Sequence, residues 1–221
     1  MVAALEREVA PLIRKWKVRT IERDGRRYQL FESGEAALIC GGMGAEAARR
    51  ATEVVIQETR PDLVLSVGFV GALDPAMKAG EVFEPRMVIN AADSVRTDTG
   101  CGQGTLVSFG TVAGREQKAK LRDAYSAAAV DMEAAAVAQA AEVRGVRFAA
   151  LKAVSDESGF VMPPLEDFIS SDGGFCLTPF AVYIATRPWL WGTTLTLARN
   201  SAKASRALCV ALEKRVNRAA P

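Results

Sequence analysis

The chain has 221 residues, 49% of them apolar, with a formal net charge of +2. That length suits one α/β domain with a full core, and the scattered Lys and Arg lack the basic stripe that nucleic-acid binding usually needs, so no nucleic-acid partner is expected. There is no histidine, which excludes a His-based triad, a His-ligated zinc site and a His general base.

The cysteines (Cys40, Cys101, Cys176, Cys209) form no CxxC pair and fit reduced, cytosolic thiols. No run of about 18 apolar residues predicts a membrane span, and no signal peptide is visible. A cytoplasmic location is therefore expected.

Met1 to Ala4 reads as the tail of a first strand. Residues 5 to 16 predict a helix, because Leu5, Val9, Leu12, Ile13 and Trp16 fall on one stripe at helical spacing. Glu8 flanks one side of that stripe and Glu6 the other, and helical geometry alone does not choose between them. Residues 18 to 33 predict a hairpin turning at Asp24-Gly25. Ala36 to Cys40 predicts a buried strand leading into Gly41-Gly42-Met43-Gly44. Backbone N–H groups there, ahead of a helix, suit an anion or water; the same glycines also make a plain strand-to-helix turn. An Ala-rich helix follows to about Thr59. Beyond Pro61-Asp62, Leu63 to Val67 reads as a buried strand, followed by Gly68-Phe69-Val70-Gly71. Gly80 to Asn90 reads as strand, 93–104 as a polar Gly-rich loop, Thr105 to Val112 as strand and Gly114 to Tyr125 as a polar helix.

From Ala129 to Asp156 the pattern is a short strand, a tight turn into an Ala-rich helix, and a buried strand ending in Ser155-Asp156. In an open parallel sheet, ligands sit beyond the carboxyl ends of the strands. Glu133 at the helix start and Asp156 at the strand end then face one crevice. Two carboxylates there suit acid-assisted cleavage of a glycosidic bond. Each has a plainer alternative: a first-turn glutamate stabilises a helix N-terminus, and Ser-Asp after a strand makes a cap or turn. Residues 157 to 176 are loop-like. The tail from Phe180 has an aromatic-rich break at Arg187 to Trp191 and a final helix to about Val216. The predicted fold is a single α/β domain, its central mixed, mainly parallel twisted sheet flanked by helices. Residues 1–176 form the expected core and 177–221 a C-terminal helical extension.

Val130-Asp131-Met132-Glu133-Ala134 followed by Ala153-Val154-Ser155-Asp156 resembles the signature of the nucleoside phosphorylase superfamily. The bacterial methylthioadenosine/S-adenosylhomocysteine nucleosidases are the branch it is most similar to. The resemblance extends through Asp62 to Gly80 and Glu6-Arg7-Glu8-Val9, with a large gap after Asp93. It implies a phosphorylase/nucleosidase fold and hydrolysis of the N-glycosidic bond of a purine nucleoside, a 5′-modified adenosine, with release of adenine. By resemblance Asp156 is the acid, oriented by Ser155. A free Asp titrates at about 3.9, so this role requires burial or a neighbouring carboxylate. Glu133 holds the ribose hydroxyls, with Met132 under the sugar and Asp131 matching the family's preceding carboxylate. Glu8 matches the water-activating base. Gly44 belongs to the glycine turn, and Gly68 and Phe69 to the site floor, where the family often has Ser at the second position. Val112 stands where a base-stacking ring is expected, with Phe109 or Phe160 as substitutes.

The resemblance implies no metal or organic cofactor and a homodimer; the small residues Ala134 to Ala141 permit close helix packing. Phosphorolysis needs cations to hold phosphate; no arginine sits within Gly68 to Ala72 and Arg49 lies at least a turn into the helix after Gly44, so hydrolysis is favoured, with Lys152 and Arg86 left as candidate phosphate holders. Three departures stand out. The first strand is short, which points to truncation or a misassigned start. The 93–104 loop replaces a longer family segment that helps build the 5′ pocket and dimer contact. Pro179 to Trp191 adds an apolar stretch that packs on the core or a partner subunit, or forms a face for a lipid-like substrate or a membrane. In this it resembles the hopanoid-associated phosphorylases, which act on an adenosyl group joined to a triterpenoid. The alternatives are thus phosphorolysis of an adenosylated lipid such as adenosylhopane, or a non-catalytic nucleoside-binding module.

Overall fold

The computed structural model describes residues 1–219. The hairpin β2 (Lys17–Arg23) and β3 (Arg26–Ser33) turns at Asp24 and Gly25, both at positive φ, as an Asp-Gly turn favours. It joins β4 (Ala36–Cys40) in antiparallel register, and β4 runs parallel to β1 (Val2–Ala3). Next to β1 lies β5 (Leu63–Ala72), the spine of the sheet. Along one edge β5 pairs in parallel with β11 (Arg147–Asp156). On the opposite edge β1 gives way to β10 (Ala129–Asp131), which is antiparallel at Gly71 and Ala72. From β10 the sheet continues in parallel through β9 (Thr105–Ser108) to β7 (Met87–Asn90), and ends at antiparallel β8 (Arg96–Asp98). The sheet is therefore mixed: parallel pairs make up most of its interior, interrupted by the antiparallel step from β5 to β10.

Several boundaries differ from the sequence expectation, each for a physical reason. The strand expected to stop at Val67 continues through both glycines to Ala72; a glycine adds no apolar side chain, so it hides the alternation. The strand expected over Gly80 to Asn90 is split into β6 (Val82–Phe83) and β7. Pro85 falls in the gap, and proline cannot donate to a ladder. The expected loop over 93–104 contains β8. Helix α1 is Glu6–Ile13, shorter than expected, and the strand beginning at Thr105 ends at Ser108.

Helix α2 (Ala45–Thr59) and α4 (Ala134–Val143) cover one face of the sheet. The small residues of α4 are spent within the chain: Ala136, Val137 and Ala141 pack with Ala48, Ala51 and Val55. Helix α3 is Arg115–Tyr125, α5 Leu177–Ala185, and α6 Trp191–Ala219. On the other face, Ala204, Leu208 and Leu212 of α6 join Val9, Leu12 and Ile13 of α1 over Leu65, Val67 and Leu151. Each fully buried Leu or Val contributes about 1.5–3 kcal/mol of transfer free energy, so α6 holds α1 against the sheet. Among the described residues no helix is long and apolar enough to cross a membrane.

Candidate active site

The apolar stripe of α1 points inward and settles the choice between its glutamates: Glu8 is buried, whereas Glu6 is exposed. Facing Glu8 is Gly68 of β5, at φ +143°, where a Cβ would lie 2.7 Å from Glu8 Oε2. Glycine lets the strand backbone approach the carboxylate there.

Glu133 sits between β10 and α4. Its Oε1 accepts the Gly44 N–H (2.8 Å) and its Oε2 the Met132 N–H (3.2 Å). The glycine-turn amide expected to suit an anion or water thus holds Glu133. A carboxylate has about four acceptor positions, so two remain for ligand hydroxyls. The Glu8 carboxyl is pushed up to about 7 by burial and then by repulsion from Glu133. Burial and then Asp131 likewise push Glu133 up to about 7. Lys152 offsets part of both shifts.

Asp156 owes its position to a slip in strand register. Val154 pairs with Val70, yet Asp156 pairs with Gly71, so Ser155 is the extra residue of a bulge. Bulges re-aim side chains. Ser155 Oγ donates to Asp156 Oδ1 at 2.6 Å, and Lys118 Nζ of α3 forms an ion pair with Oδ2. Gly71 stands close behind both: a Cβ there would lie 3.0 Å from Asp156 Oδ2 and from Lys118 Cε.

Glu8, Glu133, Ser155 and Asp156 line one cavity of about 140 Å³, together with Phe69, Val112, Asp131 and Met132. Met43, Lys118 and Met162 also line it, and none of their side chains was expected there. Lys118 was hidden because nothing in Arg115-Glu116-Gln117-Lys118-Ala119-Lys120 separates it from Lys120, although it is 2% exposed. Other expected residues stand elsewhere. Lys152 is buried below the floor, bound to Asp131 Oδ2 (2.8 Å) and Ser66 Oγ (2.9 Å), so it does not reach a ligand. Asp131 touches the wall, but its oxygens also accept the Ser108 hydroxyl (2.6 Å) and the Ala134 N–H (3.0 Å). It therefore caps α4 and anchors Lys152, with three of its about four acceptor positions already taken. Phe109 packs among Leu73, Val107 and Leu121, and Phe160 lies in the loop after β11; neither lines the cavity. Arg86 pairs with Asp98 at the surface, at 2.7 Å.

A second, apolar cavity of about 910 Å³ lies between α1, α5 and α6, and includes Phe175, Phe180 and Leu197. Phe69 lines both cavities. Trp189, Trp191 and Leu195 nearby are more than half exposed, at 74%, 54% and 52%.

Fold and site together describe an α/β protein with a carboxylate-lined cavity at the carboxyl ends of its central strands. The chain matches the sequence profile of the Phosphorylase superfamily over residues 1–110 and 92–170, and it belongs to that superfamily. A 5′-methylthioadenosine/S-adenosylhomocysteine nucleosidase from Staphylococcus aureus is 26% identical, with 71% of this chain and 85% of the relative covered. Among solved structures, the fold is similar to Arabidopsis thaliana 5′-methylthioadenosine nucleosidase (TM-score 0.73, 19% identity, 98% and 93% covered). It is also similar to Helicobacter pylori futalosine hydrolase (TM-score 0.72, 15% identity, 98% and 96% covered).

Proposed function

We propose that this protein hydrolyses the N-glycosidic bond of a purine nucleoside, with a 5′-modified adenosine as substrate. One observation carries the reading: Glu8, Glu133 and Asp156 share a single cavity. As the bond from the anomeric carbon to the purine breaks, its electron pair goes to the base and the ribose becomes cationic. Asp156 faces the base and delivers a proton to a ring nitrogen. Glu133 accepts the ribose hydroxyls and its charge stabilises the sugar cation. Glu8 takes a proton from the water that attacks the anomeric carbon. Hydrolysis is favoured over phosphorolysis because Lys152 and Arg86 are engaged away from the cavity, and Lys118, which lines it, is paired with Asp156.

The apolar cavity supports a second reading in which the 5′ group is a long apolar chain, as in an adenosylated lipid. It adjoins the carboxylates through Phe69 alone, so a chain leaving the ribose has an apolar space beyond that ring. A homodimer remains part of the proposal, to be checked by light scattering.

The test is adenine release from methylthioadenosine, adenosylhomocysteine and an adenosyl-lipid, each with and without phosphate. Free ribose product without phosphate is expected. Ribose-1-phosphate appearing only with phosphate would replace hydrolysis by phosphorolysis, and binding without adenine release would leave a binding module. Asp156→Asn should still bind but lose about 10²–10⁴-fold in kcat; normal turnover would remove Asp156 from its role.

A further inference from the structure

An acid must hold a proton before it can give one. Asp156 accepts a hydrogen bond from Ser155 on Oδ1 and is ion-paired with Lys118 on Oδ2. Both contacts suit a carboxylate acceptor, and the lysine ammonium beside it carries the N–H protons of the pair. Lys118 is buried and lines the same cavity as Asp156. A lysine ammonium has three N–H donors. One serves Asp156 and one the Glu157 carbonyl, at 2.9 Å. Across the cavity stand Glu8 and Glu133, and Asp131 of the same wall is held by Lys152. Among these groups Lys118 alone is both cationic and in contact with Asp156.

We propose that the Lys118 ammonium is the source of the proton that reaches the purine, with the Asp156 carboxylate passing it across; this rests on the nucleoside-cleavage reading above. As the glycosidic bond breaks and its electrons move into the base, a Lys118 proton passes to the Asp156 carboxylate and on to the ring nitrogen. Lys118 is left a neutral amine and Asp156 a carboxylate again. Water adds to the anomeric carbon and gives its proton to Glu8. Transfer of that proton through solvent from Glu8 to Lys118 restores the starting state, so the net reaction consumes one water and no other reagent.

The experiment compares Lys118→Met and Lys118→Arg with the wild-type protein on two substrates, methylthioadenosine and 4-nitrophenyl β-D-ribofuranoside. The nitrophenolate leaves without a proton. Both variants should lose about 100-fold in kcat for adenine release, within the range for a general acid, while KM and nitrophenyl riboside cleavage change by no more than about threefold. Arginine keeps the charge but cannot be deprotonated. Wild-type kcat in Lys118→Arg would therefore overturn the proposal and leave the lysine as a fixed charge. An equal fall on both substrates would also overturn it, in favour of structural support. If Lys118→Met fails to fold, Lys118→Arg decides alone. Failure of the wild-type protein to release any base would instead sink the nucleosidase reading, and this proposal with it. Loss of adenine release in Asp156→Asn with full activity in Lys118→Arg would leave the first standing without the second.

Discussion

Lys152–Asp131 and Lys118–Asp156 are both buried lysine–carboxylate pairs, with side-chain exposures of 1% and 0% in the first and 2% and 4% in the second. Their surroundings differ. Asp131 is enclosed by Ser108, the start of α4 and Lys152, and Lys152 is in turn held by Ser66. Asp131 touches the cavity too, but Lys152 does not reach it, whereas Asp156 and Lys118 both form part of its wall. Burying two charges carries a desolvation cost that attraction only partly offsets. In the first pair the neighbouring bonds fix β10, β11 and α4 together. The second leaves its ions beside a space that a ligand can enter. Burial of a charge is therefore no guide to function until the direction it faces is known.

Removing one lysine at a time tests that difference most severely. Lys152→Met leaves the Asp131 charge enclosed and should destabilise the protein by about 3–5 kcal/mol, measured by urea unfolding. Lys118→Met should cost less, because the lysine it removes lines the cavity and leaves Asp156 beside a space that water can enter. Equal losses would erase the distinction.

Glu8 and Glu133 extend the comparison to buried carboxylates with no lysine in direct contact. Both are raised from 4.5 to about 7. The folded protein then keeps protons that the unfolded chain releases, so stability should fall as pH rises from about 4.5 through 7 and stay lower above it. Glu8→Gln should flatten part of this slope, read from melting temperatures at pH 5 and pH 8. Because Glu8 acts as a base only when ionised, kcat/KM should rise through about pH 7. An unchanged slope in Glu8→Gln would mean that the buried carboxyl does not control it.

The exposed pair Arg86–Asp98 gives the smallest effect. Arg86→Ala should change stability by no more than about 1 kcal/mol and leave adenine release unaltered. A large loss of activity, dependent on phosphate, would return Arg86 to the site.

Glu133, Ser155 and Asp156 were legible in sequence because each lies where a short motif meets the end of a regular element. Lys152 was visible too, as a lone lysine within Ala149-Ala150-Leu151-Lys152-Ala153-Val154, but its partner was not. Asp131 and Ser66 reach it from strands distant in sequence. Helical spacing alone did not separate Glu8 from Glu6; the family resemblance pointed to Glu8, and β5 supplies the surface that buries it. Lys118 left no trace, because a polar helix with one inward lysine has the same local pattern as a solvated one.

The skipped pairing step between Val154 and Asp156 has an evolutionary corollary. The aim of the reacting carboxyl is written in residue count along β11 as much as in residue type. Point changes around it can retune the chemistry while its direction survives. A single-codon deletion within the strand would shift the frame of alternation and turn the terminal side chains elsewhere. Strand length here constrains the site alongside composition.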